Sequence, residues 1–354
     1  MSCRVKTPNN FKSVLLPVMG NMSQNENILL IRLKSIGDVL FTLPAVHVVR
    51  ENYPGAKIMF LTSRENAPLL EGFRGVDGVI TLDRAVWRTG NPLKVVPEFI
   101  GLLRRLRAGK FSLVVDFQGY GETAWLAWLS GAPHRWGSVY STGRRWAYTR
   151  GVTRNDRLHH VARYLSLLEQ CGLRPGEILN EFVLPDGALN EARRFFVAHN
   201  LNAAKPTLFI QPFTSSPPKN WPLGNYISIA GHWRLRSVQV LFGGGPSERA
   251  ALGPVRQAGF PVSAGVPLLV TGGLMKLSSL ILGGDTGALH LAVAMGKRVV
   301  MTRDSIAPGS SYPYQHPEWA VTPTNGRGIS GIETGTVIEA CARAFTERAG
   351  NVSC

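Results

Sequence analysis

A chain of 354 residues is too long for one small core and has the size of two ordinary domains. Its 44% apolar and 18% charged content excludes a disordered polymer, and no apolar run reaches the ~20 residues that cross a bilayer. The net charge of +16 fits either an anionic partner or solubility alone, and four scattered cysteines (Cys3, Cys171, Cys341, Cys354) without a CxxC pair fit free thiols in a reducing compartment.

Residues 1–26 read as a polar, disordered leader. Val14-Leu-Leu-Pro-Val-Met-Gly20 after Lys12 is short and broken by Pro17, which argues against a signal peptide, and Met22 is an alternative start. Ile28–Leu33 is a short apolar run of the buried parallel-strand type. Lys34–Asp38 is a turn, Val39–Asn52 a helix ended by Pro54-Gly55, and Lys57–Thr62 the next strand. A helix near Ala67–Gly72, a strand at Gly78–Leu82, a helix over Leu93–Ala108 and a strand at Ser112–Phe117 continue the alternation. The stretch Ser130–Arg157 is rich in Gly, Pro and Arg, and His159–Gln170 is helical.

Residues 174–186, with Pro175, Gly176 and Pro185, read as a connection. The pattern then restarts with a helix at Ala188–Asn200, a strand at Thr207–Gln211, a helix at Tyr226–Leu235 and a strand at Val238–Phe242. Strands at Leu277–Leu282 and Arg298–Thr302 flank a helix at Gly287–Met295, and a last helix runs over Thr336–Arg348. Alternation of this kind predicts an α/β protein of two doubly wound domains facing across a cleft. The expected boundaries are a leader at 1–26, domains at 27–180 and 181–335, and a C-terminal helix and tail at 336–354. The charge is uneven: residues 27–174 carry 21 Lys/Arg against 11 Asp/Glu, and residues 175–354 carry 15 against 11. The basic first half suits an anionic substrate or surface.

Four loops after strands carry chemistry. In Ser35-Ile-Gly-Asp38 the carboxylate of Asp38 either caps the following helix or accepts a proton from an attacking hydroxyl. Gln211–Trp221 offers Thr214, Ser215, Ser216 and Lys219, a set able to hold a pyrophosphate, or forms an ordinary surface loop. Gly243-Gly-Gly-Pro-Ser-Glu248 is a plain turn or a ribose site in which Glu248 accepts hydroxyl hydrogen bonds. In Gly283–His290, backbone N–H groups near Thr286, Gly287 and Ala288 suit a phosphate; Asp285 caps or contacts sugar hydroxyls, and His290 reads as a core histidine. GxxxxGK[ST] and Asp-x-Asp are both absent, which argues against a P-loop nucleotidase and gives no mark of a metal-bound diphosphate.

Taken in order, these loops resemble glycosyltransferase family 9, the ADP-heptose:lipopolysaccharide heptosyltransferases. The likeness rests on Ile28–Ala45 and Gly284–Ala292, with Val114–Gly119, Leu129–Pro133 and His160–Leu165 in support. It implies a GT-B fold, with acceptor on the first domain and nucleotide sugar on the second, and inversion at the anomeric carbon. It implies Asp38 as general base, and a diphosphate segment of Thr214, Ser215 and Lys219, the lysine assisting departure of ADP. It also implies Glu248 at the ribose and Asp285, Thr286 and Gly287 beside diphosphate and sugar. Arg64, Arg135, Arg144 and Arg145 are expected at the anionic glycolipid acceptor.

No cofactor or metal is expected. The implied setting is cytoplasmic, with peripheral contact at the inner membrane surface and no nucleic acid. Met301–Pro308 departs from the family's Phe-Gly-Pro-Thr-Asp-Pro-like loop, and Gly272-Gly273 interrupts a stretch that is helical in the family. Another nucleotide sugar or acceptor, or a silent anion-binding protein on the same fold, are the alternatives.

Overall fold

In a computed structural model, residues 26–324 and 328–350 are described. The leader, Met22 and the tail after Gly350 lie outside the described residues, Glu26 excepted. The first half holds strands β1 (Asn27–Ile31), β2 (Lys57–Ser63), β3 (Gly78–Leu82), β4 (Leu113–Asp116), β5 (His134–Val139) and β6 (Arg150–Thr153). Its helices are α1 (Ile36–Leu40), α2 (Leu43–Asn52), α3 (Arg84–Arg88), α4 (Pro92–Ala108), α5 (Gly121–Leu129) and α6 (His160–Gln170). The second half follows with α7 (Asp186–Ala198), β7 (Thr207–Gln211), α8 (Leu223–Arg234), β8 (Gln239–Gly244), α9 (Gly253–Gln257) and β9 (Val262–Ala264). It is completed by α10 (Leu268–Leu277), β10 (Leu280–Gly284), α11 (Gly287–Ala294), β11 (Val299–Thr302), β12 (Ala320–Val321) and α12 (Thr334–Gly350).

Each half is a six-stranded parallel sheet, ordered β3-β2-β1-β4-β5-β6 and β12-β11-β10-β7-β8-β9. Both sheets therefore reverse direction beside their first strand, between β1 and β4 and between β7 and β10. The strand ends at such a switch point leave a crevice for ligands.

β1 is apolar on both sides because both of its faces are covered. Ile28 and Leu30 join a core with α2, α6 and much of the second half, whereas Leu29 and Ile31 join a core under α4 and α5. The connecting segment is tied to both halves: Phe182 N–H donates to Ala294 O and Val183 N–H to Gly72 O, at 2.8 and 3.0 Å. Val337, Cys341 and Ala344 of α12 lie in the core of the second sheet.

The expected helix at Ala67–Gly72 is a 3-10 run over Arg64–Gly72, with Pro68 inside it. The stretch Ser130–Arg157 contains β5 and β6, the outer two strands at one end of the sheet, whose Gly137 and Gly151 conceal the alternation. Each glycine makes room for a neighbour, since a Cβ would stand 2.2 Å from Tyr148 and 2.9 Å from Val139 respectively. The Gly272-Gly273 interruption is also explained: α10 runs unbroken through it. A Cβ on Gly273 would lie 2.6 Å from Ala192 Cβ and 2.8 Å from Ala188 O, so the glycine lets α10 and α7 approach closely.

Candidate active site

The loop after β1 is held from beneath by the loop after β4. Asp116 Oδ1 accepts from Gln118 and Gly119 N–H at 2.8 and 3.0 Å, and Tyr148 O–H donates to its Oδ2 at 2.7 Å. Gly119 takes φ +70, and a Cβ there would strike Ser138 O. Gln118, so positioned, accepts from Leu33 N–H at 3.0 Å. The backbone after β1 is thereby fixed before its functional side chain is reached.

Asp38 is the third residue of α1. Its Oδ2 accepts from Ser35 N–H and Oγ–H at 3.0 and 3.1 Å, so the capping role is real. Two more groups converge on it: Arg32 Nη2 at 2.7 Å from Oδ2 and His160 Nδ1 at 3.0 Å from Oδ1. Burial alone raises its pKa, but the His160 hydrogen bond and the Arg32 charge outweigh that and hold the carboxyl well below the usual range. The side chain stays one-fifth exposed, so an ionised carboxylate faces the crevice.

The second switch point supplies cations and amides. Asp285 follows β10 and is ringed by His290 Nε2 at 3.1 Å, Lys219 Nζ at 3.6 Å and Arg303 Nη2 at 3.7 Å. Ser311 O–H donates to it at 3.0 Å. Burial again raises the carboxyl, and His290, Arg303 and Lys219 together pull it well below its ordinary value. Asp285 gathers cations around the N-terminus of α11, which offsets the repulsion it would offer a phosphate. Thr286 is the N-cap of that helix, with extended backbone and its hydroxyl unused as a cap. Lys219 is about half exposed, free to reach a ligand.

The two loops touch. α1 packs on α11 through glycines: a Cβ on Gly287 would lie 2.6 Å from Ile36 Cγ2 and 3.2 Å from Gly37 N. Gly37 in turn lies against His290 and Gly287. Phe41 stands between the two carboxylate–imidazole pairs, with ring centroids 5.4 Å from His160 and 4.6 Å from His290. Asp38 is thus brought beside the Thr286 turn.

The remaining expected residues are placed unevenly. Thr214 is buried, with its hydroxyl donating to Ser216 O at 2.9 Å, whereas Ser215 is exposed at the same loop. Glu248 accepts from Gly245 N–H at 2.7 Å and stays partly exposed. Arg144 donates to Gly119 O at 3.2 Å, which puts it near the loop after β4. Arg64 is paired with Asp83 at 2.8 Å, and Arg145 donates to Gly151 O at 3.0 Å. Arg135 is the second residue of β5, near the strand end away from the crevice, and its Nε–H donates to Ala147 O at 2.8 Å; it is not brought to the cluster.

Four participants escaped the sequence reading of the loops. Arg32 reads as the end of an apolar strand, and His160 as one member of a helical run. Arg303 and Ser311 lie in or just beyond the divergent loop. The available signal was a cation immediately following each buried strand, Arg32 after Ile31 and Arg303 after Thr302. Arg303 is buried and leaves Nε and Nη1 without a partner, donor capacity unspent beside Asp285.

The family model described as glycosyltransferase family 9 (heptosyltransferase) matches residues 100–321. Lipopolysaccharide heptosyltransferase 3 of Escherichia coli K12 is 23% identical over 276 residues, which is 75% of this chain and 78% of that protein. The glycosyl transferase family 9 protein of Veillonella parvula superposes with a TM-score of 0.82 at 21% identity, covering 91% of this chain and 97% of the other. The E. coli heptosyltransferase WaaC with ADP-2-deoxy-2-fluoro heptose gives 0.73 at 20%, covering 90% and 99%. The two sheets and these likenesses make the fold GT-B in type. With its switch-point loops and a family match over well more than half its length, the chain belongs to glycosyltransferase family 9 and is a glycosyltransferase.

Proposed function

We propose that the protein transfers a heptose from ADP-heptose to the inner core of a lipopolysaccharide or a related anionic glycolipid, with inversion and without a metal. The observation that carries the reading is the ionised Asp38 carboxylate packed, through Gly37 and Gly287, against the cation- and amide-rich turn at Thr286. The names of the relatives supply the sugar and the acceptor class, and the ligand named for WaaC supplies the nucleotide.

An acceptor hydroxyl bonded to Asp38 attacks the anomeric carbon from the side opposite ADP, and the bond to the β-phosphate oxygen breaks. A carboxylate held so low is a weak base, so it takes the proton late, as the attacking oxygen becomes acidic on bonding. His160 and Arg32 fix its oxygens in place. Lys219 and the N–H groups of Thr286 and Gly287 meet the charge growing on the diphosphate, while Thr214, Ser215 and Glu248 bind phosphate and ribose. Arg64, Arg144 and Arg145 serve acceptor anions. The enzyme works at the cytoplasmic side of the membrane that holds its acceptor.

Asp38→Ala is the test: it keeps ADP affinity and loses turnover by about 10²–10⁴-fold. Unchanged turnover rejects Asp38 as base. A second reading, a different nucleotide sugar, is favoured by Arg303 and its two spare donors at the divergent loop. Thermal shifts with ADP, UDP, GDP and CDP separate the two, since ligand at 100 times its Kd adds about 2.7 kcal/mol. A shift with UDP and none with ADP selects the second.

A further inference from the structure

Seven of the twelve large apolar side chains exposed among the described residues lie between Leu93 and Trp146, so the exposure is concentrated on one surface. That surface is the outer layer of the first half, formed by α4, α5 and the 3-10 turn Thr142–Ala147. Its inner side, with Leu102, Leu106, Leu126 and Ala147, packs on the face of β1 that carries Leu29 and Ile31. The opposite face of the same sheet looks toward α2, α6 and the second half. The exposed side is therefore the one that neither the crevice nor the partner sheet covers.

Two features build it. Trp125, Trp128 and Trp146 are 53%, 45% and 46% exposed and form one cluster, with ring centroids 4.6 to 6.0 Å apart. Three indoles left half in water are costly unless something apolar covers them. On α4, Leu93, Val96 and Ile100 follow a spacing of three and four, and Arg104 continues the same stripe one turn on. Leu102 and Leu106 take the opposite, buried face. The helix is thus amphipathic twice over, with a second apolar line pointing outward and running into basic residues.

Charge singles out the occupant. Residues 84–150 contain eleven Lys/Arg and three Asp/Glu. Of the three acids, Asp116 is buried under Tyr148, and Glu98 is bonded to Asp83 N–H. Lys94, Arg104, Arg107, Lys110 and Arg145 are all exposed. A second copy of this chain would set cation against cation. An anionic bilayer surface matches both terms: indoles settle at the headgroup level, and Lys/Arg are drawn to acidic headgroups. No helix of the described residues is long and apolar enough to cross a membrane, so the attachment is by a face.

The patch also leads to the reaction centre. From Trp146 the 3-10 turn reaches Tyr140, whose ring lies 5.3 Å from Tyr120, and Lys34 Nζ stands 5.9 Å over Tyr120 at the start of the Asp38 loop. We propose that the tryptophan cluster Trp125–Trp128–Trp146 and the outward stripe of α4 form a docking surface for an anionic lipid bilayer. The surface seats the mouth of the Asp38 loop toward the headgroups. Its orientation rests on the glycolipid-acceptor reading above, whereas its lipid affinity does not.

The test is flotation of the full chain with phosphatidylcholine vesicles, with and without 30% phosphatidylglycerol, in low and high salt. The chain is expected to float with the anionic vesicles and to be released by salt. Brominated phosphatidylglycerol should quench the tryptophan fluorescence of the unaltered protein. The W125A/W128A/W146A variant should bind at least 10-fold more weakly, and K94E/R104E should lose the preference for anionic vesicles. Both variants should keep an unchanged thermal shift with ADP and unchanged transfer to a delipidated, water-soluble acceptor; those two readouts report on the transferase reading alone. Equal binding by the tryptophan variant, or no quenching, overturns the proposal. So does a dimer that the tryptophan substitutions dissociate in the absence of vesicle binding.

Discussion

His160 Nδ1 and Asp38 Oδ1 lie 3.0 Å apart, the imidazole from the first residue of α6 and the carboxylate from the third residue of α1. Arg32 holds the other oxygen, so the carboxylate has little freedom to rotate. His160→Ala should lower kcat by about 10- to 100-fold, the worth of one hydrogen bond to a charged group, with ADP affinity unchanged. It should also move the acid limb of the kcat profile upward, because a group that depresses the Asp38 pKa is gone. An unmoved limb would show that the histidine acts elsewhere.

His159, next to it, makes stability depend on pH. Burial lowers it from 6.5 to about 4, and its Nδ1 accepts from Val161 N–H while Nε2 faces Tyr312 O at 3.1 Å. Between pH 6.5 and pH 4 the unfolded chain binds more protons than the folded one, so stability falls as the pH drops through that window, by about 3 kcal/mol at most. Below pH 4 the depressed carboxyls of Asp38 and Asp285 add to the loss. Urea midpoints at pH 7 and pH 4.5 measure the slope, and His159→Gln should flatten it.

Gly287→Ala forces a methyl group to within 2.6 Å of Ile36 Cγ2 and 3.2 Å of a backbone nitrogen. Overpacking of this kind costs about 1–3 kcal/mol, and here it also moves Asp38 from the Thr286 turn, so turnover should fall with stability. Gly273→Ala makes a contact as tight on Ala192, in the seam between α10 and α7 rather than between the two loops. It should lower the Tm and leave kcat unchanged. The pair separates a packing defect from a displaced site.

Lys219→Ala should reduce kcat by about 10²-fold, since a charge aimed at the departing diphosphate is lost. Lys219→Arg should recover part of it. Single-turnover measurements show whether the loss lies in the chemical step; an effect confined to KM would assign the lysine to ground-state binding.

The strands that line the switch points were legible because they are buried and mostly apolar: Ile28–Leu33 with Ser112–Phe117, and Thr207–Gln211 with Leu277–Leu282. β5 and β6 were not, for a short strand interrupted by glycine shows no period. Asp38 was legible as a candidate because a carboxylate just after a strand and a tight glycine turn sits at the mouth of the cleft, yet its choice between cap and base stayed open in the sequence. The structure shows that the capping bonds leave the carboxylate able to take two more partners. His160 and Arg303 were illegible in those roles, since each meets its carboxylate only through the packing of distant segments.

The seam between Gly37 and Gly287 sets backbone close to backbone, and the side chains of Ile36, Phe41 and His290 interlock across it. Such a joint fixes the spacing of the two loops, because a slide along it would drive Ile36 or His290 into the facing backbone. Farther out, Arg163 Nη2 donates to Gly309 O at 3.1 Å, and the His159 ring packs on Tyr312 and Tyr314 with centroids 4.8 and 5.2 Å away. The register of Asp38 against the Thr286 turn is thereby set by the fold alone, before any ligand arrives.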